Sequence, residues 1–368
     1  MALKEVIKVA ILGGGINSAV GRAHIAALRL TGRSEIVGGC FSRNSELNER
    51  SSVEYRIPDN SITSCLTDFI DWCRATQPDL IILLTPTNLH YQHLISISEL
   101  NIPVVVEKAL ATSTAEALDL VKMFEDKSIT QYVMFNYVGY PMLREMKAMI
   151  GNWKRGQIKS IKMQMPQDSY IRVDKNGLFL YPQDWRMKDY AIPTISLDLG
   201  VHLFSILQYL LGDDIQFVKK VKTENNLGRI PNIVDDIIIL GESDSGIVFD
   251  FWYSKAALGH KNGLSVQVYG FEQSIEWIQE YPDELQVSGQ FGDRSILRRG
   301  DSLLTVANQP RYTRFKGGHP TGFIEAMANY YDDIFDDYLK VFQSESINQE
   351  IEKTFDFRLA YEGLTFLS

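Results

Sequence analysis

Cysteine is scarce in this chain: there are three in 368 residues, Cys40, Cys65 and Cys73, all in the first third. The number is odd and the spacing matches no CxxC or zinc pattern. That excludes a disulfide framework, and reduced cytoplasmic thiols are the simplest account. Long apolar runs are missing, and none approaches the roughly 20 residues of a membrane span. Basic runs and basic–aromatic stripes are missing too. With a formal charge of −9, a nucleic-acid partner is disfavoured. No cluster of ligand-type residues has metal spacing, so no metal is expected. Internal repeats and low-complexity linkers are absent. The opening residues carry Lys4, Glu5 and Lys8 and run straight into glycines, which reads as a first strand rather than a secretion signal.

What is present is ordinary for a globular protein: 45% hydrophobic and 23% charged residues. The length suggests about two domains, each able to bury a core. Ile7–Leu12, Glu35–Phe41, Asp79–Leu84, Ile102–Lys108 and Gln131–Phe135 are short apolar stretches. They alternate with helical segments at Ala19–Leu30, Thr67–Ala75, Leu89–Leu100 and from Thr112 or Ser113 to Phe124. Thr87 or Asn88 is placed to cap the helix that starts at Leu89. One weakly marked third strand makes Ile102–Lys108 the fifth. This alternation implies a doubly wound parallel sheet. After about residue 136 the texture changes. Runs at Ile158–Met165, Ile215–Thr223, Val234–Leu240, Ile247–Tyr253, Leu264–Tyr269 and Ser274–Ile278 are joined by Gly, Asn and Asp turns. They argue for a mainly antiparallel sheet. Helices are expected at Met142–Met149, at Leu197–Leu211, over about 321–342 and over 350–367, while Gln279–Pro310 is the least readable part. The expected architecture is α/β: a Rossmann domain, 1–136, then an α+β domain with a large open sheet, 137–368.

Gly13-Gly14-Gly15 lies between a strand and a helix, the context a dinucleotide site requires. Gly13 permits a tight turn, Gly15 lets backbone approach a pyrophosphate, and the helix N-terminus supplies N–H groups. Ser18 stands where the third glycine of GxGxxG belongs, with Gly21 following later. The second strand ends in Cys40-Phe41-Ser42-Arg43, with no acid for a ribose diol. The hydroxyl of Ser42 and the guanidinium of Arg43 suit a 2′-phosphate, which leans toward NADP. Lys108 ends a buried strand, where open α/β sheets bind their ligands. Asp198 and His202 are four apart in an apolar helical segment, a spacing that puts carboxylate and imidazole on one face. Burying both is costly without a use.

Further separated motifs are Gly21-x-x-His24, Thr85-Pro86-Thr87-Asn88-x-His90, Glu107-Lys108-Ala109, Asn136-Tyr137-Val138 with Pro141, Trp185-Arg186, and Gly318-His319-Pro320-Thr321-Gly322-Phe323. Together they resemble the glucose-fructose oxidoreductase / inositol dehydrogenase / rhizopine-catabolism (Gfo/Idh/MocA) oxidoreductase family over nearly the whole chain. The resemblance implies an NAD(P)-dependent oxidoreductase acting on a secondary alcohol or ketone of a sugar, cyclitol or sugar nucleotide. It implies Lys108, Asp198 and His202 as catalytic residues, with His202 the base in the oxidative direction. Gly13, Gly15, Ile16, Asn17, Ser42, Arg43, Thr85, Pro86, Asn88, His90, Glu107 and Lys108 are expected at the cofactor. Tyr137, Trp185, Arg186, Asp198 and His202 are expected at the substrate.

Three positions depart from the family pattern. Ala109 replaces a proline whose ring fixes the backbone beside the lysine, Val138 replaces an arginine, and Ser205 replaces an aspartate. They point to an unusual substrate or a divergent subfamily. The departures also give weight to a catalytically silent nucleotide-binding sensor or scaffold of the same fold. An enzyme that uses tightly bound NAD transiently, as some glycosidases and dehydratases do, is a further alternative. The open sheet's apolar face is expected to be covered in a homodimer or homotetramer.

Overall fold

The computed structural model describes residues 6–153, 157–212, 216–343 and 352–368. Residues 1–136 and 323–366 form one compact unit, and residues 137–322 with 367–368 form a second.

The first unit is built on β1 (Ile7–Gly13), β2 (Ser34–Cys40), β3 (Leu80–Leu84), β4 (Val104–Glu107) and β5 (Gln131–Met134). All pair in parallel, in the order β2-β1-β3-β4-β5. Leu80–Leu84 and Val104–Val106 are buried without a break, as befits strands covered on both faces. The crossovers are α1 (Ala19–Thr31), α2 (Ser45–Tyr55), α3 (Leu66–Thr76), α4 (Thr87–Ser98) and α5 (Thr114–Asp126). The weak third strand does not form. Between β2 and β3 there is only an isolated pairing of Gly39 with Ile62, next to a 3₁₀ turn at Asp59–Ser61 introduced by Pro58. The strand that leads to Lys108 is therefore the fourth.

Two caps differ in kind. Ser113 caps α5 by accepting the Glu116 N–H at 3.2 Å, and Glu116 returns a bond to the Thr112 N–H at 3.1 Å, a reciprocal arrangement of the capping-box type. α4 starts at Thr87, two residues before its expected first residue Leu89, behind Pro86 and with no side-chain cap bond.

The C-terminal helices α8 (Phe323–Gln343) and α9 (Phe357–Leu367) were grouped with the second domain on sequence, but α8 and nearly all of α9 belong to the first unit. The reason is an aromatic face that docks at β5. Tyr330 donates to the Val133 carbonyl at 3.0 Å, Tyr132 donates to Asp337 at 2.8 Å, and the Val133 N–H reaches the Phe355 carbonyl at 2.7 Å. Residues 350 and 351 of the expected final helix lie outside the described residues.

The second unit holds β6 (Ile158–Pro166), β7 (Phe217–Asn225), β8 (Asp236–Ser243), β9 (Val248–Ser254), β10 (Ser265–Gly270), β11 (Gln273–Ile278), β12 (Glu284–Gly289) and β13 (Arg294–Arg298). Their order is β13-β12-β11-β10-β6-β9-β8-β7, antiparallel except for β6 with β9. Ile215, expected to start β7, lies outside the described residues. β12 and β13 fall in the stretch the sequence left unread, because only Leu285 of the two is buried and their alternation is weak. One face of the sheet is core, with Ile239, Phe251, Met163, Val266 and Trp277 all buried. On the other face one register row runs Val221, Leu240, Asp250, Lys162, Gln267, Glu276, Gln286, Ile296. Its ends are exposed apolar side chains, and its middle is bridged polar groups. The unit's helices are α6 (Pro141–Gly151) and α7 (Val201–Leu211). Among the described residues no helix is long and apolar enough to cross a membrane.

Candidate active site

Two constellations carry chemistry, one in each unit. In the first, β1 turns into α1 through Gly13 at φ +93° and Gly14 at φ +74°. A Cβ on Gly13 would lie 2.7 Å from the Leu84 backbone, so glycine is required there by conformation and by space. Ser18, at the third-glycine position of the motif, caps α1 by accepting the Gly21 N–H at 3.0 Å. Gly21 then supplies the close helix–strand approach, since its Cβ would sit 2.3 Å from the Gly14 carbonyl oxygen. The departure from GxGxxG is thus met by two residues sharing the work of one. Tyr55 donates to the Gly14 carbonyl at 2.9 Å and Ser18 N–H to that of Gly15 at 2.8 Å, which fixes the turn. The Ile16 N–H is spent on Ser51 at 3.0 Å, while Asn17 is exposed beside it. A Gly-lined turn opening a capped helix fits a dinucleotide pyrophosphate.

At the end of β2, Asn48 shapes the loop by accepting the Phe41 and Ser42 N–H groups, and Arg43 is exposed. Thr85 lies 3.0 Å from His93. His93, unnoticed in the sequence, is pushed down to about 4 by burial, then by His90 and Arg43, so its ring is neutral near pH 7. Pro86 and Asn88 are exposed at the start of α4, and His90 is buried. Its ring lies between two carbonyls, Nδ1 2.8 Å from Ala109 O and Nε2 2.8 Å from Thr85 O. Burial outweighs those carbonyls and lowers its pKa.

β4 delivers Glu107 and Lys108 to the carboxyl end of the sheet. The Lys108–Ala109 peptide is cis although residue 109 is alanine. Behind Glu107 stands a buried chain. Tyr331 from α8 lies 2.6 Å from His24 Nδ1, and His24 Nε2 lies 2.9 Å from Glu107 Oε1. Burial raises the Tyr331 phenol well above its usual range, with Glu107 adding to it. The phenol therefore donates to Nδ1, and Nε2–H donates to the carboxylate. His24 is thus tied to the residue preceding Lys108.

In the second unit, Asp198 sits in a π-helical turn, Ser196–Gly200, that runs into α7. Such turns interrupt the α-helix, often at functional sites; the pair expected on one α-helical face therefore spans a change of helix type. Ser196 pairs with the Tyr253 hydroxyl at 2.9 Å, which pins the turn to β9. Asp198 and His202 are both buried. Arg186 grips Asp198 with Nε at 3.2 Å from Oδ2 and Nη2 at 3.3 Å from Oδ1. Its guanidinium lies 4.3 Å from the Trp185 ring. Lys255, which the sequence did not single out, donates to Asp198 Oδ2 from the end of β9. His202 meets Tyr137 edge-on at 4.6 Å, and Asn262 donates to the Tyr137 hydroxyl at 3.0 Å. Ser205 bonds the His202 carbonyl at 2.9 Å. Val138 is fully buried, and its carbonyl accepts Arg144 Nε at 2.9 Å.

Comparison with known proteins identifies the family and the fold. Residues 7–135 match the model of the oxidoreductase family with an NAD-binding Rossmann fold, and residues 143–276 match the GFO/IDH/MocA C-terminal domain. The uncharacterized oxidoreductase YfiI of Bacillus subtilis is 26% identical over 339 residues, covering 89% of this chain and 84% of its own. Levoglucosan dehydrogenase of Pseudarthrobacter phenanthrenivorans is 25% identical over 266 residues, 66% of each chain. The structure of an inositol dehydrogenase homolog from Azotobacter vinelandii, complexed with NADH and myo-inositol, superposes with a TM-score of 0.86 at 22% identity, over 99% of this chain and 94% of that one. The chain belongs to the GFO/IDH/MocA oxidoreductase family and carries its NAD-binding Rossmann domain.

Proposed function

We propose that the enzyme moves a hydride between nicotinamide and a CH–OH carbon of a sugar, cyclitol or sugar nucleotide. The observation that carries this is Lys108 at the carboxyl end of β4, in the same unit as the Gly13–Gly15 turn. Relatives named as levoglucosan and inositol 2-dehydrogenases support the substrate class. Bound nicotinamide supplies the hydride acceptor or donor. The protein's part is proton and charge control. The Lys108 ammonium hydrogen-bonds the reacting hydroxyl and stabilises the alkoxide as it forms. His202 removes the hydroxyl proton in the oxidative direction, a task suited to imidazole. Asp198 accepts a hydrogen bond from a substrate hydroxyl, and the faces of Trp185 and Tyr137 pack against the ring. Arg186 holds the Asp198 carboxylate in place.

Cofactor choice leans toward NADP. β2 ends in Ser42 and Arg43 rather than in an acid, and the neutral His93 leaves the positive charge there to Arg43. The apolar ends of the open sheet row, Val221, Leu240 and Ile296, support a homo-oligomer through that face; a monomer by light scattering at micromolar concentration would overturn this. Three free cysteines suit a cytoplasmic setting.

The test is nicotinamide absorbance with NAD and NADP against inositols, hexoses, anhydrosugars and nucleotide-linked sugars. Net reduction with at least one polyol is expected. Cofactor binding without net reduction or oxidation on any of them would sink the reading.

A further inference from the structure

We propose that Lys255 is a positioning residue of this reaction. With Arg186 it grips the Asp198 carboxylate from two sides, fixing its orientation and holding it as an anion, so that Asp198 receives a substrate hydroxyl and leaves proton removal to His202. This rests on the oxidoreductase reading above and names a residue that no motif marks.

The geometry is specific. Lys255 follows the last residue of β9 and is 3% exposed. Its N–H bonds the Asp235 carbonyl at 2.7 Å, and its carbonyl accepts the Tyr170 N–H at 2.9 Å, so its backbone is tied on both sides. The side chain passes 5.2 Å from the centre of the Tyr170 ring to reach Asp198 Oδ2. A buried ammonium is tolerated only when a counter-charge meets it, and here that charge is Asp198. Arg186 reaches the same carboxylate from the 3₁₀ turn Asp184–Arg186, whose last carbonyl accepts the Tyr170 hydroxyl at 2.7 Å. Tyr170 is thus the shared platform: its ring supports one cation and its hydroxyl anchors the other. Burial, then Asp198, raises the Tyr170 phenol, so it stays a donor.

Other charged groups near this platform have separate work. Asp189 accepts the Thr194 and Val234 N–H groups at 2.8 and 2.7 Å, and Asp235 accepts those of Leu227 and Gly228 at 2.8 and 2.7 Å. His202 follows one turn later on α7. Two cations within ion-pair reach favour the charged carboxylate. A carboxylate held so is a fixed acceptor rather than a shuttling base, which divides the roles of Asp198 and His202.

The experiment compares wild type with Lys255→Met, Lys255→Arg, Asp198→Asn and the Lys255→Met/Asp198→Asn double variant. Two readouts are used: the pH profile of turnover, and the carboxyl ¹³C titration of labelled aspartate, with Asp198→Asn assigning the signal. Lys255→Met should lower kcat by roughly 10- to 100-fold with cofactor affinity unchanged, and should move the Asp198 midpoint up by about one pH unit, while the acid limb of kcat/KM still follows the His202 base. Lys255→Arg should restore the midpoint. The double variant should be no slower than Asp198→Asn, because the lysine acts through the carboxylate. A folded Lys255→Met protein with an unmoved Asp198 titration, or a double variant slower than Asp198→Asn by the full lysine effect, overturns the proposal. If Lys255→Met does not fold, the arginine and double variants still decide it. The titration is read without turnover, so it judges the clamp even where wild type oxidises no polyol and the oxidoreductase reading fails.

Discussion

Gly21→Ala probes the cofactor turn at its tightest point. A Cβ there would lie 2.3 Å from the Gly14 carbonyl oxygen and 2.6 Å from two other Gly14 backbone atoms. These are backbone atoms, so no rotamer relieves the contact. Reaching an ordinary separation requires α1 to retreat from the turn by about 1 Å. Overpacking of this kind costs roughly 1–3 kcal/mol, offset by roughly 0.5–1 kcal/mol from replacing a helical glycine with alanine. The net expectation is a loss of about 0–2.5 kcal/mol in urea unfolding followed by circular dichroism. The same retreat carries the helix N-terminus away from the pyrophosphate, so dinucleotide affinity by calorimetry should fall at least tenfold, about 1.4 kcal/mol. Gly151→Ala, where an added Cβ meets nothing within 4 Å, is the control and should leave both unchanged or stability slightly higher. Wild-type stability and affinity in Gly21→Ala would refute the assignment of Gly21 as the close-packing glycine.

Other changes test other parts. Tyr331→Phe strips the donor from buried His24 Nδ1 and should cost about 1–3 kcal/mol in urea unfolding; a loss under about 0.5 kcal/mol would show the chain to Glu107 to be slack. His93 is shifted from 6.5 to about 4, so between those pH values the unfolded chain binds the proton and the folded chain does not. Stability should therefore fall as pH drops from 6.5 toward 4, by about 2 kcal/mol after allowing for the ring's partial exposure, and His93→Gln should remove that share. Arg43→Ala should lower the preference for NADP over NAD about tenfold in KM ratio, and an unchanged ratio would remove Arg43 from cofactor choice.

The parallel sheet was legible because β3 and Val104–Val106 of β4 are unbroken apolar runs, a pattern that needs no knowledge of partners. The placement of α8 was not. Periodicity reveals that Tyr330, Tyr331 and Phe335 share an apolar face, yet says nothing of which unit the face docks on. β12 and β13 were unread because strands with one buried side chain between them leave little alternation to detect. In the candidate site, Lys108, Asp198 and Arg186 stood in recognisable motifs. Lys255 did not: a lysine after a strand looks solvated until Asp198, 57 residues earlier, is seen against it. One weak signal was available, since Lys255, like Lys108, directly follows an apolar strand. The motif departures also read differently in three dimensions. Ser18 and Gly21 divide the missing glycine's roles, and Ala109 keeps its backbone against His90.

The central claim is that Lys108 serves the chemical step on an alcohol rather than the binding of cofactor. The direct measurement is single-turnover nicotinamide reduction by Lys108→Met, beside its cofactor affinity by calorimetry, on the best polyol found. The expected result is a rate at least 10³-fold below wild type, about 4 kcal/mol of lost transition-state stabilisation, with affinity within about threefold. Turnover at the wild-type rate in that variant would contradict the claim outright.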